Sequence, residues 1–170
     1  MYYRNNVTNI YPTTEKMPTA AAVIRGSEKN GGIHGTVKFY QESGGVLIVA
    51  DILGLPAPSE NCKSPIFAFH IHIGADCSGT AEDPFANAGS HYDPDGCPHP
   101  YHAGDMPPLF YANGRAFIAF LTDRFSADEV IGKTVIIHDR PDDFTTQPSG
   151  NAGNKIACGV ISRVKREVRI

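Results

Sequence analysis

Six of the seven histidines in this 170-residue chain fall where a pair of adjoining metal ions could use them. Neutral imidazole is the commonest protein ligand for zinc and copper, and a carboxylate completes sites for harder ions. Only His34 is left over, and we expect it to be structural or exposed. This concentration indicates a dinuclear site rather than scattered surface residues. The candidate ligands are His70, His72, His91, His99, His102, Asp105 and His138.

The first two candidate ligands lie in an alternating run, residues 67–73, that predicts a β-strand. Successive side chains of a strand point to opposite faces, so Ala68, His70 and His72 share one face and the large apolar residues share the other. We expect the apolar face to pack into the core and the imidazoles to point outward, side by side, as a rigid metal platform. An isolated His-x-His pair is more often merely exposed; the five further candidates favour metal binding. The apolar face consists of Phe67, Phe69, Ile71 and Ile73.

Four ligand-type residues are closely spaced in a loop-like segment, namely His91, His99, His102 and Asp105. Three imidazole nitrogens and one carboxylate oxygen make a four-coordinate set that suits zinc in a closed, structural site. Surface histidines are the alternative, and the close spacing favours zinc. His138 ends another strand-like run, and it could join the His-x-His platform if its strand end lies nearby.

Composition predicts a single all-β domain. The length and the 41% apolar content are sufficient for one hydrophobic core. Seventeen glycines and thirteen prolines between short apolar runs indicate many turns. Only residues 126–131 are helix-like, with Ser126 as a cap, so we expect at most about one helical turn there. The strand-like runs are 20–24, 35–40, 45–50, 66–73, 115–121, 133–138 and 155–161.

Charge and hydropathy argue against two classes of partner. A net charge of −3 without a basic run provides no electrostatic footprint for nucleic acid. No apolar stretch approaches the length of a membrane span. The N-terminus has no signal-peptide pattern, which as written favours the cytoplasm. Disulfides would instead suit an exported mature form, so the compartment stays open.

The long segment 74–114 and the cysteines are related features. Loops of this length are uncommon unless they are functional or tied down. Four cysteines allow two disulfides in three connectivities, or metal ligation. We expect disulfides, because no cysteine belongs to a Cys-x-x-Cys pair and imidazoles can already fill the site. The cysteines are Cys62, Cys77, Cys97 and Cys158.

Five segments, in order along the chain, resemble the motif series of the copper/zinc superoxide dismutases. The resemblance covers about residues 20 to 161. It implies a Greek-key, eight-stranded β-barrel or sandwich of immunoglobulin-like type, with long metal-binding and electrostatic loops. We therefore divide the chain into an extended arm (1–18), a dismutase-like domain (19–162) and a short basic tail (163–170). The segments are FHIHIGADCSG, AGSHYDPDG, HAGDMPPL, IGKTVIIHDRPDD and QPSGNAGNKIACGVI.

The resemblance also implies roles for individual residues. One ligand, His91, would bridge the two metals. Asp142 matches a carboxylate that links ligands of both metals, and Cys77 with Cys158 matches the family disulfide between the long loop and the last strand. The copper ligands would be His70, His72, His91 and His138, and the zinc ligands His91, His99, His102 and Asp105.

Two features depart from the family pattern. Lys155 stands where the family has an arginine that guides the anion to copper. Lysine keeps the charge but lacks the planar fork of arginine, so we expect it to steer superoxide while orienting it less well. Cys62 and Cys97 form an extra pair, for which we predict a second bridge between the zinc-side loop and the strand before His70.

The function implied by the resemblance is dismutation of superoxide to oxygen and hydrogen peroxide, by alternate reduction and reoxidation of copper. By the same resemblance, His91 would carry a proton and Lys155 would attract the substrate. The implied cofactors are copper and zinc. The resemblance leaves open whether the protein forms a homodimer. One alternative is a non-enzymatic copper/zinc-binding protein on the same scaffold, with a storage or structural role. Hydrolysis at a zinc-bound water is disfavoured, because the complete zinc ligand set leaves no open position.

Overall fold

The structure, a computed structural model, describes residues 16–58 and 65–165. Nine strands and two short 3-10 helices, Glu28–Asn30 and Ala86–Ala88, account for the regular structure of these residues. The all-β class predicted from the sequence is confirmed. The strands are β1 (Ala20–Gly26), β2 (His34–Glu42), β3 (Gly45–Leu53), β4 (Ile66–Phe67), β5 (Phe69–His72), β6 (Leu109–Phe110), β7 (Arg115–Thr122), β8 (Thr134–His138) and β9 (Lys155–Arg163).

Seven of the strands form one antiparallel sheet in the order β5-β8-β9-β1-β2-β3-β7, and β4 pairs with β6 in a separate two-stranded sheet. Alternation along the strands separates a buried face from an exposed one. In β1, for example, Ala22 and Ile24 are fully buried, whereas Val23 between them is 57% exposed. The buried faces meet in one large apolar core, which provides the rigid scaffold on which the candidate ligands are placed.

The predicted run 66–73 is divided into two strands at Ala68. The Ala68 N–H donates to the carbonyl of Arg140 at 2.7 Å, and its carbonyl accepts from the His138 N–H at 2.9 Å. Residues before Ala68 therefore pair with β6, and residues after it pair with β8. The expectation that Ile73 packs in the core is wrong, because the strand ends at His72 and Ile73 is 56% exposed.

The segment 126–131 forms turns rather than the single helical turn that we expected. Its start is capped, since both the N–H and the hydroxyl of Ser126 donate to a carboxylate oxygen of Glu129, at 2.6 and 2.7 Å. Gly132, with a φ of 86°, then turns the chain toward β8 before a helix can extend.

Some predictions concern residues outside the described ranges. These are Cys62, most of the predicted arm 1–18, and the end of the predicted tail 163–170. In the part of the chain that the structure describes, no helix has the length and apolar character needed to cross a membrane.

Candidate metal centre

The strand β5 places His70 and His72 on the face opposite to Phe69 and Ile71. Its apolar residues lie in the core, as the alternation predicted. The two imidazoles point away from that core, but they are not exposed: His70 is 0% and His72 is 2% accessible. The long loop covers them, and isolated β-bridges join His70 to Asp105 and His72 to His91. The platform is therefore a buried site beneath the loop rather than an open surface.

The seven candidate ligands converge into two groups that share one histidine. Within each group the potential ligand atoms all lie within 4.8 Å of one another. His34, by contrast, is exposed on β2 and belongs to neither group. The first ligand group is His70, His72, His91 and His138; the second ligand group is His91, His99, His102 and Asp105.

In the first ligand group, contacts with the protein determine which nitrogen of each ring remains free. Nε2 of His70 lies 2.7 Å from Asp142, which leaves its buried Nδ1 without a hydrogen-bond partner among the described residues. The Nδ1–H of His72 donates to the Gly89 carbonyl at 2.7 Å, and this directs Nε2 of His72 toward Nε2 of His138, 3.4 Å away. The Nδ1–H of His138 donates to a carbonyl at 3.3 Å. Nδ1 of His70, Nε2 of His72 and Nε2 of His138 are therefore all directed at one point.

The second ligand group converges on the carboxylate of Asp105. Nδ1 of His91 lies 2.7 Å from Oδ1, and Nδ1 of His102 lies 3.2 Å from Oδ2. Nδ1 of His99 lies 3.0 Å from Oδ2, yet it makes no hydrogen bond of acceptable geometry. Close approach without a hydrogen bond fits donor atoms that are directed at a common cation rather than at each other.

The ring of His91 lies between the two groups. Its Nδ1 faces the second ligand group, whereas its Nε2 is buried and has no hydrogen-bond partner within the described residues. The ring centroid is 4.0 Å from that of His70 and 5.4 Å from that of His102. A single imidazole can therefore offer one nitrogen to each group.

Asp142 connects the two groups from behind. One carboxylate oxygen lies 2.7 Å from Nε2 of His70, and the other lies 2.9 Å from Nε2 of His99. The Phe144 N–H also donates to this carboxylate at 2.7 Å. A carboxylate that accepts the second N–H of a ligand histidine sets the tautomer and the orientation of that ring. Asp142 does this for one ring of each group.

Burial keeps three imidazoles of the first ligand group in the protonation state that metal ligation needs. Desolvation lowers the pKa of His138 to about 3 and lowers the pKa values of His70 and His72 as well. Burial alone would raise the pKa of Asp142, but hydrogen bonds from His70, Phe144 and His99 lower it to about 2. These imidazoles are neutral at neutral pH, so their lone pairs are available for cations, and the ionised carboxylate of Asp142 accepts the outer N–H groups of His70 and His99.

The donor sets fit two transition-metal ions. Four imidazole nitrogens in the first ligand group suit copper, which nitrogen ligands bind in both oxidation states. Three imidazoles and one carboxylate in the second ligand group suit zinc in a closed, four-coordinate site. The buried nitrogens without partners at His70, His91 and His99 are the observation that supports this fit, since polar atoms of this kind are costly unless something binds them.

The long loop is tied to the sheet by the Cys77–Cys158 disulfide, which the resemblance implied. The bridge joins positions 81 residues apart, and Cys158 lies opposite Ile136 in the ladder between β8 and β9. Cys97 is half-buried. Because Cys62 lies outside the described residues, its bridge to Cys97 stays a prediction.

Lys155 lies beside the first ligand group, and its ammonium forms an ion pair with Asp83. It lines a cavity of about 540 Å³ together with His72, His91 and His138. Its Nζ lies 2.5 Å from Oδ2 of Asp83. Sequence reasoning missed Asp83, because one acidic residue in a long loop carries no local sign of a partner 72 positions away.

Two further residues position the second ligand group and were not found from the sequence. One Nη of Arg124 donates to the carbonyls of Pro100, His102 and Asp105 at 3.1 to 3.3 Å. Gln147 accepts from the His99 N–H at 3.0 Å and donates to the His99 carbonyl at 2.6 Å. Both act through the loop backbone, so no spacing in the sequence indicates them.

The fold and the two joined ligand groups are typical of an all-β metalloprotein, with candidate sites for two metal ions. The family model of copper/zinc superoxide dismutase (SODC) matches residues 33–161. The chain belongs to this family.

Relatives and a solved structure agree with the family match. A Cu-Zn superoxide dismutase of Aquifex aeolicus is 34% identical over 77% of this chain and 80% of its own length. One of Legionella pneumophila is 36% identical over 75% of this chain and 76% of its own length. The crystal structure of a double mutant of a SOD-like protein from Bacillus subtilis superposes with a TM-score of 0.67 at 26% identity, covering 82% of this chain and 95% of that one.

Proposed function

We propose that this protein is an enzyme that converts two superoxide anions and two protons to one molecule of oxygen and one of hydrogen peroxide. Copper would be held by His70, His72, His91 and His138, and zinc by His91, His99, His102 and Asp105. The single observation that carries this proposal is the position of His91, which offers one nitrogen to each ligand group. The family membership supports the same activity.

When bound, copper supplies the electron-accepting and electron-donating centre, and zinc supplies a fixed positive charge. The protein's own contribution begins with orientation. Asp142 holds the rings of His70 and His99 by their outer nitrogens, so both Nδ1 atoms point inward. The carbonyl of Gly89 holds the ring of His72 by its Nδ1, so Nε2 of His72 points inward.

The proton is handled at Nε2 of His91. That atom is buried and has no hydrogen-bond partner among the described residues, whereas Nδ1 of the same ring is held beside Asp105. A ring anchored at one nitrogen can take up and release a proton at the other without losing its position. Peroxide formation consumes two protons, and His91 lines the cavity above the first ligand group, where a proton would be delivered.

A second candidate function is metal binding without catalysis, and one observation favours it. Among the described residues, Lys155 is the only lysine or arginine on the cavity lining, and its charge is paired with Asp83. A protein that stores copper and zinc has no need to attract an anion. Activity measured on protein of known metal content discriminates between the two functions.

The experiment is a His138→Ala variant compared with wild type after loading with copper and zinc. His138 is the better choice than His70, because Asp142 couples His70 to the second ligand group. We expect the variant to lose most of its copper and at least about 100-fold of its dismutation rate, while it retains zinc. Superoxide decay and elemental analysis provide the two measurements.

The matched control is His34→Ala, which removes an exposed histidine outside both groups. It should leave metal content and rate unchanged. Wild-type protein that holds both metals but leaves superoxide decay at its spontaneous rate would refute the proposed enzyme and favour metal binding without catalysis.

A further inference from the structure

The cavity above the first ligand group has an unexpected charge for the substrate of a superoxide dismutase. In the part of the chain that the structure describes, its charged lining residues are three carboxylates and one ammonium, namely Glu82, Asp83, Asp93 and Lys155. Superoxide is an anion, and a cavity with excess negative charge repels it. Bound copper and zinc would attract an anion, and the single ammonium among the described lining residues adds to that attraction.

That ammonium is engaged by Asp83. Nζ of Lys155 and Oδ2 of Asp83 are 2.5 Å apart. The lysine side chain is only 15% exposed, so its charge has little contact with bulk water, whereas Asp83 is 42% exposed. A closely held ion pair acts as a dipole, and the field of a dipole decays faster with distance than that of a lone charge. An approaching anion therefore meets much less attraction than an unpaired lysine would provide.

The fold places the carboxylate of Asp83 for this contact. Oδ1 accepts the Phe85 N–H at 3.1 Å, which leaves Oδ2 for the ammonium. The Asp83 carbonyl accepts the N–H groups of Thr80 and Ala86 at 2.8 and 3.1 Å. Its own N–H donates to the Thr80 hydroxyl at 3.1 Å. Asp83 is thus one member of a hydrogen-bonded turn rather than a freely rotating surface residue.

The position of Lys155 is also fixed by the fold. Lys155 begins β9 and pairs with His138, a member of the first ligand group. The Cys77–Cys158 disulfide ties the loop that carries Asp83 to the same strand, three residues beyond Lys155. The ion pair therefore spans the joint between the loop and the sheet, directly beside the cavity.

We propose that Asp83 restrains the access of anions to the first ligand group by neutralising the charge of Lys155. This inference rests on the proposed function, since it concerns the arrival of superoxide. It changes the role expected for Lys155: the lysine attracts the substrate weakly as long as Asp83 holds it, and removing the carboxylate releases that attraction.

The test is an Asp83→Asn variant, because asparagine retains an oxygen that can accept the Phe85 N–H and replaces the charged oxygen beside Lys155 with a neutral NH2 group. We expect its second-order rate constant for superoxide decay at low ionic strength to rise by about threefold to tenfold. The rate should also decrease more steeply with added salt than in wild type, because more of the attraction is electrostatic. Lys155→Met should be slower than wild type, and the Asp83→Asn change should accelerate dismutation much less when Lys155 is already methionine.

A second measurement does not depend on turnover. Azide is a stable small anion, and its dissociation constant for the copper-loaded protein reports anion access to the same cavity. We expect Asp83→Asn to bind azide about threefold to tenfold more tightly at low salt. If wild-type protein proves inactive, the proposed function fails, but azide affinity still decides whether Asp83 restrains anions.

The matched control is Asp128→Asn, which removes an exposed carboxylate paired with Arg163 at 3.1 Å and absent from the cavity lining. It changes net charge equally and should leave rate and azide affinity unchanged. An Asp83→Asn protein with full copper content and an unaltered or lower rate and azide affinity would overturn the inference. If that variant does not fold, Asp83→Ser, with a hydroxyl near the Phe85 N–H, serves for the same measurements.

Discussion

Each oriented imidazole of the metal centre has one nitrogen committed to the protein and the other directed at its ligand group. Asp142 determines this for His70 and His99, and the Gly89 carbonyl determines it for His72. The choice of nitrogen follows from the partner, because a carbonyl or a carboxylate requires an N–H. The ligand rings are thus preorganised by contacts that involve no metal, which reduces the ordering that binding must impose.

At the residue scale, burial predicts acid sensitivity of the metal-free protein. His70, His72 and His138 have lowered pKa values in the folded state, about 3 for His138, whereas histidine in an unfolded chain titrates near about 6.5. Below pH ~6.5 the unfolded state therefore binds more protons, and stability is lost as the pH falls toward about 3. Asp142, whose folded pKa is about 2, adds a further loss only below about pH 4.

The measurement is urea unfolding of chelator-treated protein between about pH 7.5 and pH 4. Each buried histidine contributes at most about 1.4 kcal/mol per pH unit, so the free energy of unfolding should decrease by several kcal/mol over this range. The variant His138→Gln should have a shallower slope. A free energy of unfolding independent of pH over the range would contradict the assignment of neutral, buried imidazoles.

At the scale of elements, loops rather than strands complete the centre. Strands β5 and β8 supply three ligands, and the loop between β5 and β6 supplies the other four. The loop after β7 contributes Arg124, whose side chain binds three carbonyls of the zinc-side loop. The loop between β8 and β9 contributes Asp142 and Gln147. Arg124 and Gln147 thus bind the backbone of the loop between β5 and β6, and Asp142 binds the ring of His99 in that loop.

Gly150 packs closely against Asp142, in the same loop, and against His99, in the loop between β5 and β6. A Cβ at this position would lie 2.0 Å from Oδ1 of Asp142 and 2.7 Å from Nε2 of His99. We expect Gly150→Ala to displace that carboxylate and to weaken zinc affinity by about 10- to 100-fold, as loss of an outer partner does in other metal sites. Zinc competition with a chromogenic chelator measures the effect.

The control for this prediction is Gly114→Ala. Both glycines have positive φ, 67° and 82°, but a Cβ at Gly114 meets nothing within 4 Å. Each variant should lose about 1–2 kcal/mol from backbone strain, and only Gly150→Ala should lose zinc affinity. Equal zinc affinity in the two variants would show that the contact with Asp142 is not needed.

At the scale of the whole molecule, the Cys77–Cys158 disulfide joins the ligand-bearing loop to the seven-stranded sheet. It joins positions 81 residues apart, and five of the seven candidate ligands, from His91 to His138, lie between them. Closure of so long a segment limits the unfolded chain more than it limits the folded one. The bridge also holds the loop that carries Asp83 next to strand β9, which begins with Lys155.

Replacing both cysteines by serine should lower the free energy of unfolding by about 2–5 kcal/mol. Chemical denaturation of the metal-free protein measures this, with reductant added to wild type as an independent route to the same state. The serine variant lacks this bridge, so reductant should not lower its free energy of unfolding through the loss of this bridge. A change below about 0.5 kcal/mol would mean that the bridge does not stabilise the fold.

The fold class and the ligand candidates followed from local features of the sequence. The alternation of residues 67–73 identified the face of His70 and His72, and composition indicated strands and turns. The same reasoning did not foresee the break at Ala68, the exposure of Ile73 or the turns at 126–131, because strand ends depend on pairing partners elsewhere in the chain. Local preference is weak compared with such tertiary contacts.

By itself, the sequence determined which residues can bind metal, because side-chain chemistry and spacing along a strand or loop are local properties. Only the tertiary structure decided what those residues touch. Asp142 meets His70 across 72 positions, and Lys155 meets Asp83 across another 72. Burial of the imidazoles and neutralisation of the lysine both arise where a long loop folds over a sheet. The physical reason is that pKa and electrostatic potential depend on distance in space, which spacing along the chain does not specify.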